Sequence, residues 1–186
     1  MFFHSNGESK VTDLQPPPIG LERVFLNEFR SDRLAIVNDA GSIHGTSLVA
    51  KTPFRRGEFV LPLIGELAAR SYRTIQIDVG RHLDGALMAF MNHSCQPTSI
   101  VQARALCVRA AVDLKAGDEI TFFYPSTEWD MVRPFECLCG ARECIGFVAG
   151  AQYLSIDILR RYFINSHIQE LAAGASLHGR ALNEQI

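Results

Sequence analysis

The chain has 186 residues, 47% hydrophobic and 20% charged, which suits one or at most two globular domains with a real core. With 18 Lys and Arg against 20 Asp and Glu the formal charge is −2, so no basic surplus drives phosphate-backbone binding and no direct nucleic-acid partner is expected. No uncharged apolar run approaches the ~20 residues of a membrane span, and Met1-Phe2-Phe3-His4 gives way to polar residues instead of a signal-peptide core; the expectation is an intracellular protein, cytoplasmic or nuclear, with no membrane partner.

Residues 1–20 hold few large apolar side chains and include Gln15-Pro16-Pro17-Pro18, a stretch that joins neither a helix interior nor a sheet; they read as a flexible leader. From residue 22 to 124 short β-type runs alternate with turn residues. The expected strands are Arg23–Phe29, Leu34–Val37, Ser47–Ala50, Phe59–Leu63, Thr74–Val79, Ser99–Ala103, Ala105–Val112 and Glu119–Tyr124. Asn38-Asp39-Ala40-Gly41, Arg55-Arg56-Gly57-Glu58 and Leu114-Lys115-Ala116-Gly117-Asp118 supply the glycine and Asx chemistry of reversals. Leu83, Leu87, Phe90 and Met91 recur at helical spacing, which predicts a short helix over Leu83–Met91 leading into a polar turn at Asn92-His93-Ser94-Cys95. The fold class is therefore mostly β with short helices. Beyond residue 153 the period changes: Leu154, Ile158, Leu159, Tyr162, Phe163 and Ile168 share one face, predicting an amphipathic helix over Tyr153–Leu171 with Gly174 as its stop. That helix either covers its own domain's sheet or serves as a homodimer element.

Five cysteines are unevenly placed. Cys137, Cys139 and Cys144 form a C-x-C-x4-C cluster, in which three thiolates can converge on one zinc at Zn–S ~2.3 Å, one ligand short of a closed tetrahedron. Cys95, in a polar turn, is the best fourth ligand; Cys107 sits in an apolar strand, where an inert thiol is the default. With an odd count and no secretory signal, a structural four-cysteine zinc site explains the pattern better than disulfides or redox chemistry.

Three ordered motifs carry a family resemblance. Phe90-Met91-Asn92-His93-Ser94-Cys95-Gln96-Pro97 resembles the F-x-N-H-S-C-x-P signature of SET-domain protein-lysine methyltransferases, Gly117-Asp118-Glu119-Ile120-Thr121-Phe122-Phe123-Tyr124 resembles their G-(D/E)-E-(L/I)-T-(F/Y)-x-Y strand, and the cysteine cluster resembles their post-SET zinc loop. Lys51–Val60 and Ile64-Gly65-Glu66 follow in the family's order. The resemblance implies the SET fold, small curved β-sheets around a pseudoknot, over residues 21–125, a post-SET loop over 126–147, and a C-terminal helix and tail over 148–186. It implies S-adenosylmethionine on one side and a lysine channel on the other. Tyr124 is then the catalytic tyrosine, and Phe122 the position that sets product multiplicity, a phenylalanine there favouring two or three methyls. Asn92 and His93 match the cofactor-binding segment, His44 and Gly45 the glycine loop along the cofactor, and Leu138 and Phe147 positions that pack on its adenine. Alone, Tyr124 reads as a core-edge tyrosine and Asn92-His93 as a polar turn; only the joint match changes this.

Departures from the pattern cluster around the site. The first glycine of the family's G-x-G loop is Ile43, its arginine before F-x-N-H-S is Ala89, and two channel tyrosines align with Leu63 and Arg73. An arginine facing the channel repels a lysine tail and favours a carboxylate, whereas a one-residue slip in register makes Arg73 a solvated strand-end residue. The leading expectation is a methyltransferase acting on a lysine of a protein substrate. The alternative is a SET-fold enzyme diverted to a small-molecule substrate in a biosynthetic pathway, by methylation or acid/base-assisted cyclisation, and a non-catalytic binding protein comes third.

Overall fold

Two turns built alike set the frame. At Arg55–Glu58 and at Lys115–Asp118 an acidic side chain accepts from the backbone N–H three residues earlier (Arg55 N to Glu58 Oε2, 2.8 Å; Lys115 N to Asp118 Oδ2, 2.7 Å). The residue before each acid is a glycine at positive φ, +82° and +94°, where a side chain would be strained. The computed structural model describes residues 29–38 and 45–183, with side chains to residue 175. The leader, residues 23–28 of the first expected strand, the Asp39–Gly41 reversal and His44 lie outside the described residues.

Strands β1 (Leu34–Asn38) and β2 (Thr46–Ala50) form an antiparallel pair with Leu34 opposite Ala50. Strand β3 (Phe59–Pro62) is followed by β4 (Glu66–Ala68), β5 (Ile75–Asp78), β6 (Arg81–Asp84), β7 (Asn92–His93), β8 (Ser99–Gln102), β9 (Cys107–Ala110), β10 (Thr121–Phe122), β11 (Phe135–Glu136) and β12 (Phe147–Val148). They make two three-stranded sheets, β3-β9-β8 and β4-β6-β5, a parallel β7-β10 pair and an antiparallel β11-β12 ribbon. Leu48, Leu61, Val101, Val108, Leu114 and Ile120 are fully buried where the sheets meet, each contributing about 1.5–3 kcal/mol by burial.

The segment from Asp118 to Phe122 is shared between neighbours, and this positions the site. Its first half bonds to β2 (Ala50 N to Asp118 O, 2.9 Å; Ile120 N to Leu48 O, 2.7 Å) and its second half pairs with β7, Thr121 opposite Asn92 and Phe122 opposite His93. The chain therefore emerges at Tyr124 directly beside the Asn92–Cys95 segment, in a 3-10 turn over Tyr124–Ser126.

Two expected helices are corrected. Leu83–Met91 is not one helix: Leu83 lies in β6, central in its sheet between Leu67 and Ile75, and only Met88–Phe90 makes a 3-10 turn. Pairing on both sides of β6 overrides the helical spacing. The Asn92–His93 turn is likewise a short parallel strand. Tyr153–Leu171 is broken into a 3-10 turn at Ala151–Tyr153, a short helix α1 (Ile156–Leu159) capped by Ser155, and α2 (Ser166–Asn183), which runs through Gly174. The break is held by buried Asn165, whose Oδ1 accepts from Ala103 N (2.9 Å) and whose Nδ2 donates to Val101 O (3.0 Å) and Ser126 O (2.9 Å). Asn165→Ala strands all three backbone groups and should cost about 2–4 kcal/mol in urea denaturation; a loss below about 0.5 kcal/mol would refute this account of the break. Among the described residues no helix is long and apolar enough to cross a membrane.

Candidate active site and metal centre

The candidate metal centre is assembled from two distant segments. Cys95, just past β7, meets Cys137, Cys139 and Cys144 so that all four Sγ atoms lie within 4.8 Å of one another. Cys95 Sγ is 3.8 Å from Cys137 Sγ and 3.9 Å from Cys144 Sγ. A tetrahedron with Zn–S ~2.3 Å requires S···S separations of about 3.8 Å, so the sulfurs fit one zinc ion. Burial pushes the Cys95 thiol up and the Cys137 thiol up to about 11, whereas at Cys139 burial is outweighed by hydrogen bonds, which bring the thiol down to about 7, so a shared dication would serve chiefly to keep Cys95 and Cys137 ionised. Backbone N–H groups already point at the sulfurs, Ile145 N to Cys95 Sγ at 3.4 Å and Gly146 N to Cys144 Sγ at 3.4 Å. Cys107 stands apart, buried, its thiol donating to Gln102 Oε1 at 3.5 Å.

His93 connects this centre to Tyr124. Its Nδ1 accepts the Tyr124 backbone N–H at 3.2 Å, which requires that nitrogen to be unprotonated and places the proton on Nε2. Nε2 then faces Cys95 Sγ at 3.3 Å as donor, in the manner of a group that orients a metal ligand. Tyr162, stacked on Phe123 at 3.7 Å between ring centroids, donates its hydroxyl to Cys95 O at 2.9 Å and braces the same segment from the C-terminal side.

The Tyr124 hydroxyl donates to Met91 O at 2.9 Å, with the ring 4.7 Å from Phe122 and edge-on to His93 (5.3 Å) and Phe135 (6.1 Å). Because its proton is committed, the oxygen's lone pairs remain for a ligand. Burial, then the charges of Glu128 and Glu119, raise its pKa well above the ordinary phenol, so it stays protonated. Tyr124 and Phe122 line a cleft of about 240 Å³ together with Met88, Met91, Phe135 and Glu128, while Arg73 and Arg133 also belong to its wall.

Sequence reasoning missed Glu128. It is only 9% exposed, and its Oε1 accepts from Gln76 N (2.7 Å) and from Thr127 Oγ1 (3.3 Å). Burial raises its carboxyl to about 7 against the lowering effect of those hydrogen bonds and of Arg70. A carboxyl with a raised folded pKa contributes most when neutral: its contribution is full below about 4.5 and declines as pH rises to about 7. With Tyr124, Arg70, Arg73 and Arg133 facing the region, Glu128→Gln should remove that slope, so that between pH 5 and pH 8 the parent loses about 2–3 kcal/mol more stability than the variant. Equal slopes in denaturation at the two pH values would refute it.

The remaining expected residues are placed as follows. Asn92 Nδ2 is within bonding distance of Thr46 O (3.0 Å), Ser47 Oγ (3.1 Å) and Glu119 Oε1 (2.7 Å), which ties β7 to the start of β2. Gly45 precedes β2 at φ +69°, with nothing within 4 Å of where a Cβ would stand. Leu138 (69% exposed) lies between Cys137 and Cys139 in sequence, and Phe147 (54% exposed) lies in β12 opposite Glu136 of β11; both are open to solvent. Leu63 is buried in the core and does not line the cleft, whereas Arg73 does and so does Ala89.

Comparison with known proteins agrees with this geometry. Residues 45–125 match the family model described as SET domain. Over 111 residues the chain is 40% identical to methyltransferase flvH of Aspergillus flavus, covering 58% of this chain and 62% of that protein. It is 32% identical over 130 residues to an H3 lysine-36 specific histone-lysine N-methyltransferase of Homo sapiens, covering 56% of this chain and 5% of the relative. The chain thus spans less than two thirds of these relatives. Among solved structures, KRYPTONITE in complex with mCHG DNA and SAH superposes with a TM-score of 0.51 at 23% identity, covering 61% of this chain and 28% of that one. The methyltransferase domain of human SETMAR gives a TM-score of 0.51 at 18% identity, covering 63% and 58%.

Proposed function

We infer, from a chain that carries a SET domain over residues 45–125, that it catalyses methyl transfer from S-adenosylmethionine to an aliphatic amine nitrogen. The observation that carries this reading is the Tyr124 hydroxyl, fixed on Met91 O in the wall of a cleft whose apolar side is made by Phe122, Met88, Met91 and Phe135. That apolar side lowers hydration around the oriented Tyr124 oxygen, which can align an incoming amine, and alignment with desolvation is most of what this chemistry needs.

Bound S-adenosylmethionine would supply an electrophilic sulfonium methyl. The residues that would hold the cofactor are the exposed Leu138 and Phe147 on the cysteine loop, Phe135, and the Gly45 and Asn92–His93 backbones. Large apolar side chains left exposed on the cysteine loop and on β12 suit an adenine face. Zinc in the four-cysteine centre is structural in this reading, holding that loop against β7.

The names of several relatives support a protein lysine as acceptor. A small molecule is the second reading, favoured by the presence of Arg73 and Arg133 in the cleft wall. Calorimetric titration of the zinc-loaded protein with S-adenosylhomocysteine should give a binding isotherm, and no heat at millimolar ligand would overturn the cofactor reading. Leu138→Ser with Phe147→Ser should weaken that binding by about tenfold through lost apolar contact; unchanged affinity would move the adenine site elsewhere.

A further inference from the structure

The cleft carries an unusual division of charge. Among the described residues Glu128 is its only acidic wall residue, and it is nearly enclosed. Gln76 N and Thr127 Oγ1 both bond to its Oε1, and among the described residues no hydrogen bond is made to Oε2, the oxygen left for a cationic ligand. Arg73 and Arg133 belong to the same wall, are exposed, and make no ion pair among the described residues. By contrast Arg33, Arg70 and Arg161 each face a carboxylate. The Arg133 guanidinium lies 4.1 Å over the Tyr72 ring, a stack that fixes its plane and leaves its N–H groups for an acceptor.

We propose that the cleft is a zwitterion site for a small amino acid: Glu128 takes the amine, and Arg73 and Arg133 take the carboxylate of the same molecule. A lysine tail from a basic peptide would meet two uncompensated cations on entry, an arrangement that works against such a partner. The volume of about 240 Å³ also lies below the range of about 300–1,000 Å³ usual for drug-sized ligands. An aliphatic amine arrives as an ammonium. One proton passes from its nitrogen to the Glu128 carboxylate oxygen, leaving a neutral amine with a free lone pair beside Tyr124 and a neutral carboxylic acid. A carboxyl poised at about 7 is suited to accept that proton and later release it to water. This deepens the methyl-transfer reading and rests on it for the fate of the amine, while the binding claim stands separately.

The test uses the zinc-loaded full chain and three probes by calorimetry: 6-aminohexanoate, hexylamine, and a lysine peptide with basic flanks. The parent should bind 6-aminohexanoate at least about tenfold more tightly than either other probe. Arg73→Ala with Arg133→Ala, both at exposed positions, should erase the preference over hexylamine without weakening hexylamine itself. Glu128→Gln, which keeps an acceptor for Gln76 N, should weaken both amines by about tenfold and abolish the dependence of their binding on pH near 7. Equal binding of the two amines by the parent, tighter binding of the peptide, or no binding of 6-aminohexanoate at about 10 mM each overturns the proposal. If S-adenosylhomocysteine binds while 6-aminohexanoate does not, the zwitterion site fails and the cofactor reading survives; the reverse pattern sinks the cofactor reading alone.

Discussion

Replacing Cys139 with serine, or stripping zinc with a strong chelator, is expected to release the C-terminal side of the molecule before the sheets melt. The four sulfurs join Cys95 to a loop 42 to 49 positions downstream, through Cys137 and Cys144. The β11-β12 ribbon has two residues per strand, and among the described residues the fully buried side chains of its cluster are Cys95, Cys137 and Val148, with Met131 and Ile145 partly buried against them. Structural zinc contributes about 10–16 kcal/mol in small zinc-binding peptides, comparable to or above the whole stability of an ordinary domain. Metal analysis should give about one zinc per chain, lost in the serine variant. Limited proteolysis should then cut first within residues 131–147. Because His93 Nε2 faces Cys95 Sγ and His93 Nδ1 holds the Tyr124 amide, S-adenosylhomocysteine affinity should fall with the metal. A metal-free protein that resists protease and melts as before would overturn both the site and its coupling to Tyr124.

What the sequence discloses here depends on how local the cause is. Strands β1, β2, β8 and β9 are readable because they are apolar runs that each pair with a neighbour close in sequence. The cysteine spacing was readable because zinc demands a fixed donor set. Strand β7 was not, since two polar residues become a strand only through parallel pairing with β10, some thirty positions downstream. The C-terminal apolar periodicity hid a break that only Asn165's partners on β8, at Ala103 and after Tyr124 explain. Glu128 had one weak local signal, a single acid between Pro125-Ser126-Thr127 and Trp129. Its burial is created by Gln76, 52 positions away, whose backbone N–H and side-chain Oε1 hold Glu128 and the Trp129 amide. Functional placement of that kind is written in the tertiary contacts and not in any window of sequence.

Tyr124→Phe should lower methyl transfer to 6-aminohexanoate or a lysine peptide by about 10²-fold or more in kcat, with KM changed far less. The ring contacts with Phe122, His93 and Phe135 do not involve the hydroxyl and survive the change, so the apolar wall stays in place. What is lost is one oxygen, held by its bond to Met91 O in an orientation that no neighbouring aromatic can supply. Leaving that carbonyl without its donor costs about 1 kcal/mol, too little to unfold the protein, and S-adenosylhomocysteine affinity should stay near the parent's. The pH profile separates orientation from base catalysis. The phenol's raised pKa keeps it protonated through the working range, so the residual activity of the phenylalanine variant should keep the parent's limb near pH 7. That limb belongs to the Glu128 carboxyl and should vanish only in Glu128→Gln. Undiminished turnover in Tyr124→Phe would remove the tyrosine from the mechanism, and loss of the neutral limb in that variant would transfer the base from Glu128 to Tyr124.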